Sequence, residues 1–143
     1  MKLKILSFLF SIISLFAFSQ NGEIAVKISG LKTDKGKCLL YLYNNKKGFP
    51  TKADKAIYTA KSSILNGKSN FVLKDIADGE YAISIIHDEN NNGILDTNFL
   101  GMPKEGVGVS NNAKGFMGPP SYDDSKFKFN KKSLTLNITI KYL

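Results

Sequence analysis

The run Asp88-Glu89-Asn90-Asn91-Asn92-Gly93-Ile94-Leu95-Asp96 carries the residues best able to do chemistry. It sets oxygen-bearing side chains at its first, third, fifth and ninth positions (Asp88, Asn90, Asn92 and Asp96), with Gly93 at the sixth. A hard cation such as Ca²⁺ takes roughly six to eight oxygens at about 2.3–2.6 Å, so several short side chains must converge on one point. Glycine allows the sharp turn that brings them together. Ile94, seventh in the run, offers its backbone carbonyl and leaves its side chain free to be apolar. The expected metal set is therefore Asp88, Asn90, Asn92, Ile94 and Asp96. The pattern matches the first half of an EF-hand loop and departs at the twelfth position, where Phe99 stands in place of a bidentate Glu. With only two carboxylates in the set, the expected affinity is on the order of 10⁻⁴–10⁻³ M. The competing reading is a metal-free turn, because Asn, Asp and Gly form such turns through Asx hydrogen bonds alone.

Other reactive side chains are few. His87 is the single histidine. In strand alternation it shares a face with Tyr81, Ile83 and Ile85, which reads as a structural histidine at the edge of the core, bonded to a loop carbonyl. A hydrolase using His87 with Asp88 or Glu105 is the alternative that would make the chain an enzyme. Glu105 is also the next acid able to reach a cation in the loop. Cys38 is the only cysteine, so no internal disulfide can form. It lies in Cys38-Leu39-Leu40-Tyr41-Leu42-Tyr43, where a small buried hydrophobe is expected. No Ser/His/Asp set, CxxC pair, P-loop or dinucleotide fingerprint is present. No catalytic residue is therefore expected.

The elements that must position these residues read as strands. Ile24, Val26 and Ile28 alternate with Ala25, Lys27 and Ser29, the period of a half-buried strand. Lys37 to Tyr43 is apolar on both faces, as a central strand would be. Ala56 to Ser63 is a weaker strand, Asn66-Gly67 is a hairpin signal, and Lys68 to Leu73 follows. Leu134, Leu136, Ile138, Ile140 and Tyr142 form the cleanest alternation, with a short strand at Phe127 and Phe129 before it. Between them, Phe71-Val72-Leu73-Lys74-Asp75-Ile76-Ala77-Asp78-Gly79-Glu80-Tyr81-Ala82-Ile83 resembles the F-x-L-x-x-I-x-x-G-x-Y-x-I pattern of prealbumin-like β-sandwiches. In that pattern Ile76 plugs the sandwich end, and Gly79 is expected to take a strained turn position. About seven short strands imply an all-β, antiparallel, seven-stranded Ig-like or prealbumin-like sandwich.

Residues 88–124 form a long insert with little strand pattern. It holds six of the twelve glycines and three of the four prolines, yet also Phe99, Leu100, Met102, Val107, Val109, Phe116, Met117 and Tyr122. Such a segment lacks ladder hydrogen bonds, so a bound cation or packing over the sandwich must offset the entropy of ordering it. The run from His87 to Asn98, then Gly101-Met102-Pro103-Lys104-Glu105-Gly106 and Gly108-Val109-Ser110-Asn111-Asn112, resembles the bacterial domain-of-unknown-function family 2141. Pro120 to Phe127 fits the same family. The resemblance implies a small exported protein and supplies no catalytic residues.

Residues 1–19 read as a signal peptide. Lys2 and Lys4 precede an apolar run, and Ala17-Phe18-Ser19 offers a cleavage site that would leave Gln20 first. The rest, 20–143, is read as one domain, exported to the periplasm or beyond, with no transmembrane anchor after cleavage. Loss of Lys2 and Lys4 takes the net charge from +8 to +6. All twenty basic residues are lysine; arginine, favoured for phosphate and base-edge recognition, is absent. Nucleic acid is therefore not an expected partner, and a glycan or an envelope protein is. The leading expectation is a non-enzymatic binding or interaction module with a calcium-ordered insert. The runner-up is a purely structural envelope protein whose Asn-rich turn binds nothing.

Overall fold

The computed structural model describes residues 21–130 and 132–143. The expected signal peptide and cleavage site lie outside the described residues. Eight strands are seen among those residues: β1 (Gly22–Ser29), β2 (Lys37–Tyr43), β3 (Tyr58–Ser62), β4 (Ser69–Ile76), β5 (Gly79–Asp88), β6 (Gly106–Val109), β7 (Phe127–Phe129) and β8 (Leu134–Thr139). A single helical turn, α1 (Tyr122–Ser125), precedes β7. Among the described residues, no helix is long and apolar enough to cross a membrane.

The strands form two sheets. One has the order β4-β1-β8; the other runs β3-β2-β5-β6, with β7 also pairing β5. The all-β, two-sheet architecture agrees with the sequence reading, and two details differ. The described residues hold eight strands rather than seven, because the insert contributes β6, which pairs with Ser84–His87 of β5. The sandwich is also not wholly antiparallel, since β8 runs parallel to β1.

Alternation explains the core. Ile24, Val26 and Ile28 of β1, Phe71 and Leu73 of β4, and Ile138 of β8 face Cys38, Leu40 and Leu42 of β2 and Tyr81, Ile83 and Ile85 of β5. Period-2 burial on each strand places the two inner faces against each other, as a sandwich requires. The strand β2, apolar on both faces, is central between β3 and β5. Its other face, Leu39, Tyr41 and Tyr43 with Ile86, forms a second cluster under Phe49, Ala56, Leu95 and Tyr122. Thus the connection between β2 and β3, together with parts of the insert, roofs the outer side of the larger sheet.

Gly79 departs from its expected role. The left-handed residue nearby is Asp75, at φ 59° near the end of β4, and Gly79 is not among the residues with positive φ. A Cβ at Gly79 would lie 3.1 Å from the Tyr81 ring, so close approach of that ring explains the glycine. Tyr81 Oη donates to the Ala77 carbonyl at 2.8 Å, fixing the ring there. Ile76 is buried with the core residues, at 8% exposure.

Candidate functional site

The larger sheet delivers Asp88 to the edge of the sandwich. Asp88 ends β5 opposite Lys37 of β2 and is only 2% exposed. The chain then turns back on its carboxylate. Asp88 Oδ1 accepts the Asn92 N–H at 3.1 Å, and Oδ2 accepts the Gly93 N–H at 2.8 Å. Two further Asx turns follow: Asn90 Oδ1 also takes the Asn92 N–H at 3.1 Å, and Asn92 Oδ1 takes the Ile94 N–H at 3.0 Å. Asn91 at φ 58° and Gly93 at φ 80° make the reversal. Short side chains that accept from nearby backbone suit this loop because they replace the ladder it lacks.

The ninth residue closes the ring. Asn90 Nδ2 donates to Asp96 Oδ2 at 2.7 Å, and Asn92 Nδ2 donates to both Asp96 oxygens at 3.0 Å. Asp88, Asn90, Asn92 and Asp96 are therefore gathered into one hydrogen-bonded ring rather than splayed outward. Ile94 joins through its backbone; its side chain is 62% exposed. Its neighbour Leu95 turns the other way and packs on the outer cluster of the sheet, which pins the loop.

Glu105 stands behind the ring and is 5% exposed. Its oxygens accept the Glu89 N–H at 3.2 Å and the Asp96 N–H at 3.0 Å. With both oxygens so engaged, Glu105 braces the two ends of the loop instead of facing into it. Burial pushes its carboxyl above the ordinary carboxylate range; the two N–H bonds oppose this, and the charges of Asp96 and Asp88 add to it. Among the described residues, no lysine lies within ion-pair distance of Asp88, Asp96 or Glu105; the nearest acid so paired is Glu89, whose partner is Lys32 at 3.0 Å. Likewise, among those residues no three His, Cys, Asp or Glu side chains converge closely enough to hold a metal by themselves. Any cation here would need the asparagine and backbone oxygens. That donor set suits Ca²⁺ and not the nitrogen and sulfur preferences of Zn²⁺.

His87 has no such opening. Its ring is fully buried. Nε2 lies 2.8 Å from the Lys35 carbonyl, which can only accept. Nε2 therefore carries the hydrogen, and Nδ1 accepts from Tyr142 Oη at 2.6 Å. Both nitrogens are occupied, so a hydrolase built on His87 lacks a free base. The expected structural role, with a loop carbonyl as partner, is what the geometry supports.

Sequence reasoning missed Ser110. The ladder along one edge of β5 is made by β6 up to Ser84 and by β7 from Tyr81 downward, which leaves a gap between them. Ser110 Oγ, fully buried, accepts the Ile83 N–H at 2.9 Å and donates to the Ser125 carbonyl at 2.5 Å. Asn111 and Asn112 follow at φ 61° and 48°. Asn112 then binds the Asn137 carbonyl and the Thr139 N–H on β8. The Ser110-Asn111-Asn112 triplet is thus a splice between strands. Its signal was present in the sequence, but only as part of a family pattern.

A small two-sheet β-sandwich with an acid-and-amide loop at the end of its central strand defines the class of protein. The family described as "uncharacterized protein conserved in bacteria (DUF2141)" matches residues 26–137, and the chain belongs to it. No curated protein and no solved structure matches the chain.

Proposed function

We propose that the chain is an exported, non-enzymatic interaction module. In this reading a calcium ion held by Asp88, Asn90, Asn92, the Ile94 carbonyl and Asp96 stiffens the insert, which meets a glycan or an envelope protein. The observation that carries it is the ring itself. Three partly or fully buried carboxylates cluster at one sheet end of a chain with twenty lysines, and none of the described lysines neutralises them. The hydrogens of Asn90 and Asn92 point at Asp96 where a cation would otherwise sit. A half-turn of each carboxamide would exchange those hydrogens for oxygens, and it would break the bonds that Asn90 and Asn92 accept from the Asn92 and Ile94 N–H groups, a loss the cation must offset. Free calcium is plentiful outside the cytoplasm, which suits a weak site.

A second reading has its own support. The same hydrogen bonds satisfy the loop without any ion, as in a structural envelope protein with a metal-free turn. Calorimetry with Ca²⁺, Mg²⁺ and Zn²⁺ separates the two. The calcium reading expects a heat for Ca²⁺ alone at a Kd on the order of 10⁻⁴–10⁻³ M. At about ten times Kd, linkage gives about 1.4 kcal/mol, or about 5 °C in Tm for a domain of this size. Asp96→Asn should remove most of that rise while leaving the calcium-free Tm nearly unchanged, because Asn keeps one acceptor oxygen. A Tm unmoved by calcium and by chelator would leave only the metal-free turn.

A further inference from the structure

We propose that residues 97–103 form a lipid-docking finger whose tip, Phe99 and Leu100, enters the interface of an anionic bilayer. The segment is a closed miniature hairpin. Thr97 and Pro103 pair across its base. The Asn98 N–H donates to the Met102 carbonyl, and the Gly101 N–H to the Asn98 carbonyl, each at 2.9 Å. Asn98 Oδ1 takes the remaining inward amides, those of Leu100 at 2.9 Å and Met102 at 3.0 Å. Gly101 at φ 79° completes the turn. The backbone of the tip is thus satisfied from within, and its side chains are turned out.

Those side chains are apolar. Phe99 is 96% exposed, Leu100 70% and Met102 47%. Single exposed hydrophobes are ordinary, but adjacent ones on the tip of a rigid turn mark a contact surface. The tip is convex, so a protein partner would need a matching pocket, whereas the interface of a bilayer yields to a protrusion. Charge favours the same occupant. Without Lys2 and Lys4 the chain carries +6, every basic residue a lysine, and Lys104, exposed at the root of the finger opposite Asp96, can reach headgroup phosphates while the tip is buried. A second exposed pair in the insert, Phe116 at 92% and Met117 at 95%, follows Lys114 with the same composition. The inference takes from the proposed function only that the insert is an interaction surface, and it does not need the cation.

The chain contains no tryptophan, so Phe99→Trp creates a single reporter. The protein from Gln20 onward is used, since it holds both sheets and lacks the apolar leader that would itself bind lipid; its melting curve confirms folding. With vesicles of equal parts phosphatidylglycerol and phosphatidylcholine, emission should shift to the blue and be quenched by lipids brominated on the acyl chains. Raising the salt, or using phosphatidylcholine alone, should weaken the shift. The pair Phe99→Ser and Leu100→Ser should lower partitioning by about tenfold or more with Tm unchanged. Absence of vesicle binding, or binding that leaves Trp emission unshifted, overturns the finger. So does a wild type that sediments as a dimer and becomes monomeric in the serine variant, which would make the occupant a second copy. Running the series in calcium and in chelator separates this failure from failure of the cation site, which is read by calorimetry alone.

Discussion

At the scale of single residues, Cys38 shows how burial sets chemistry. It sits on β2 with no exposed surface. Loss of water pushes its thiol up from 9.0 to about 11, and the neighbouring Ser69 hydroxyl opposes this only in part. The thiolate is the reactive form, so the native protein should resist a disulfide reagent at neutral pH and react at once when unfolded. A stability consequence follows with a definite sign. Below pH 9 both states hold the proton and nothing is lost. Between about 9 and 11 the unfolded chain releases it while the folded one does not, so stability falls as pH rises. Tyr43, pushed up from 10.0 to about 12 by burial, extends the fall higher. Cys38→Ala should therefore flatten the Tm profile between pH 9 and 10 and leave the tyrosine-driven fall above 10. An unchanged slope in that first interval would show the thiol ionising freely in the fold. The buried role of Cys38 was legible because its neighbours alternate. The partner hydroxyl of Ser69, thirty-one residues away on another strand, was not.

At the scale of elements, glycines separate what turns from what touches. Gly36 precedes β2 at φ +74°, and a Cβ there would fall 1.9 Å from the Asp88 carbonyl oxygen and 2.7 Å from Glu89 Cα. Gly93 has a similar φ of +80° with nothing within 4 Å. Gly93→Ala should thus cost only the left-handed strain, about 1 kcal/mol. Gly36→Ala adds a clash with the backbone that opens the acidic loop, and should cost roughly 3 kcal/mol or more while loosening Asp88. Urea midpoints of the two variants test this; equal costs would mean that the Gly36 contact relaxes freely. The same crowding explains why β6 escaped the sequence reading. Gly106 and Gly108 present no side chain because Ile138, Ile140 and Tyr142 fill that space, with Ile140 and Tyr142 atoms 2.6 Å from where a Gly106 Cβ would be. The apolar half of the pattern belongs to the partner segment, so Gly106-Val107-Gly108-Val109 looks like loop. Where a strand carries its own hydrophobes, as β1, β2, β5 and β8 do, alternation sufficed. The loop carboxylates and amides were equally legible, since local spacing alone assembles them. Glu105 as their brace was not, because strand pairing across the insert brings it there.

At the scale of the whole molecule, one polar chain ties the two sheets. The Lys32 N–H, in the connection from β1 to β2, donates to Tyr142 Oη at 3.0 Å. That hydroxyl donates to His87 Nδ1 in β5, and the opposite face of the imidazole returns to the Lys35 carbonyl. Tyr142 lies just beyond β8 of the smaller sheet, so the tie spans the sandwich near the mouth of the acidic loop. Lys32 Nζ sits 4.5 Å over the Tyr142 ring and also pairs with Glu89. Burial raises the Tyr142 phenol, which keeps its proton available to donate. The cost of breaking such a link depends on who is left unpaired. Tyr142→Phe leaves Nδ1 buried without a donor, and His87→Ala strands both the phenol and the Lys35 carbonyl beside a cavity. About 1–3 kcal/mol is expected for the first and about 2–4 kcal/mol for the second. Once one partner is gone, removing the other should hurt far less, so the double variant should fall short of the sum by about 1 kcal/mol or more. Denaturant unfolding of the four proteins measures that difference directly. Strict additivity would mean that the tyrosine and histidine stabilise their own sheets independently.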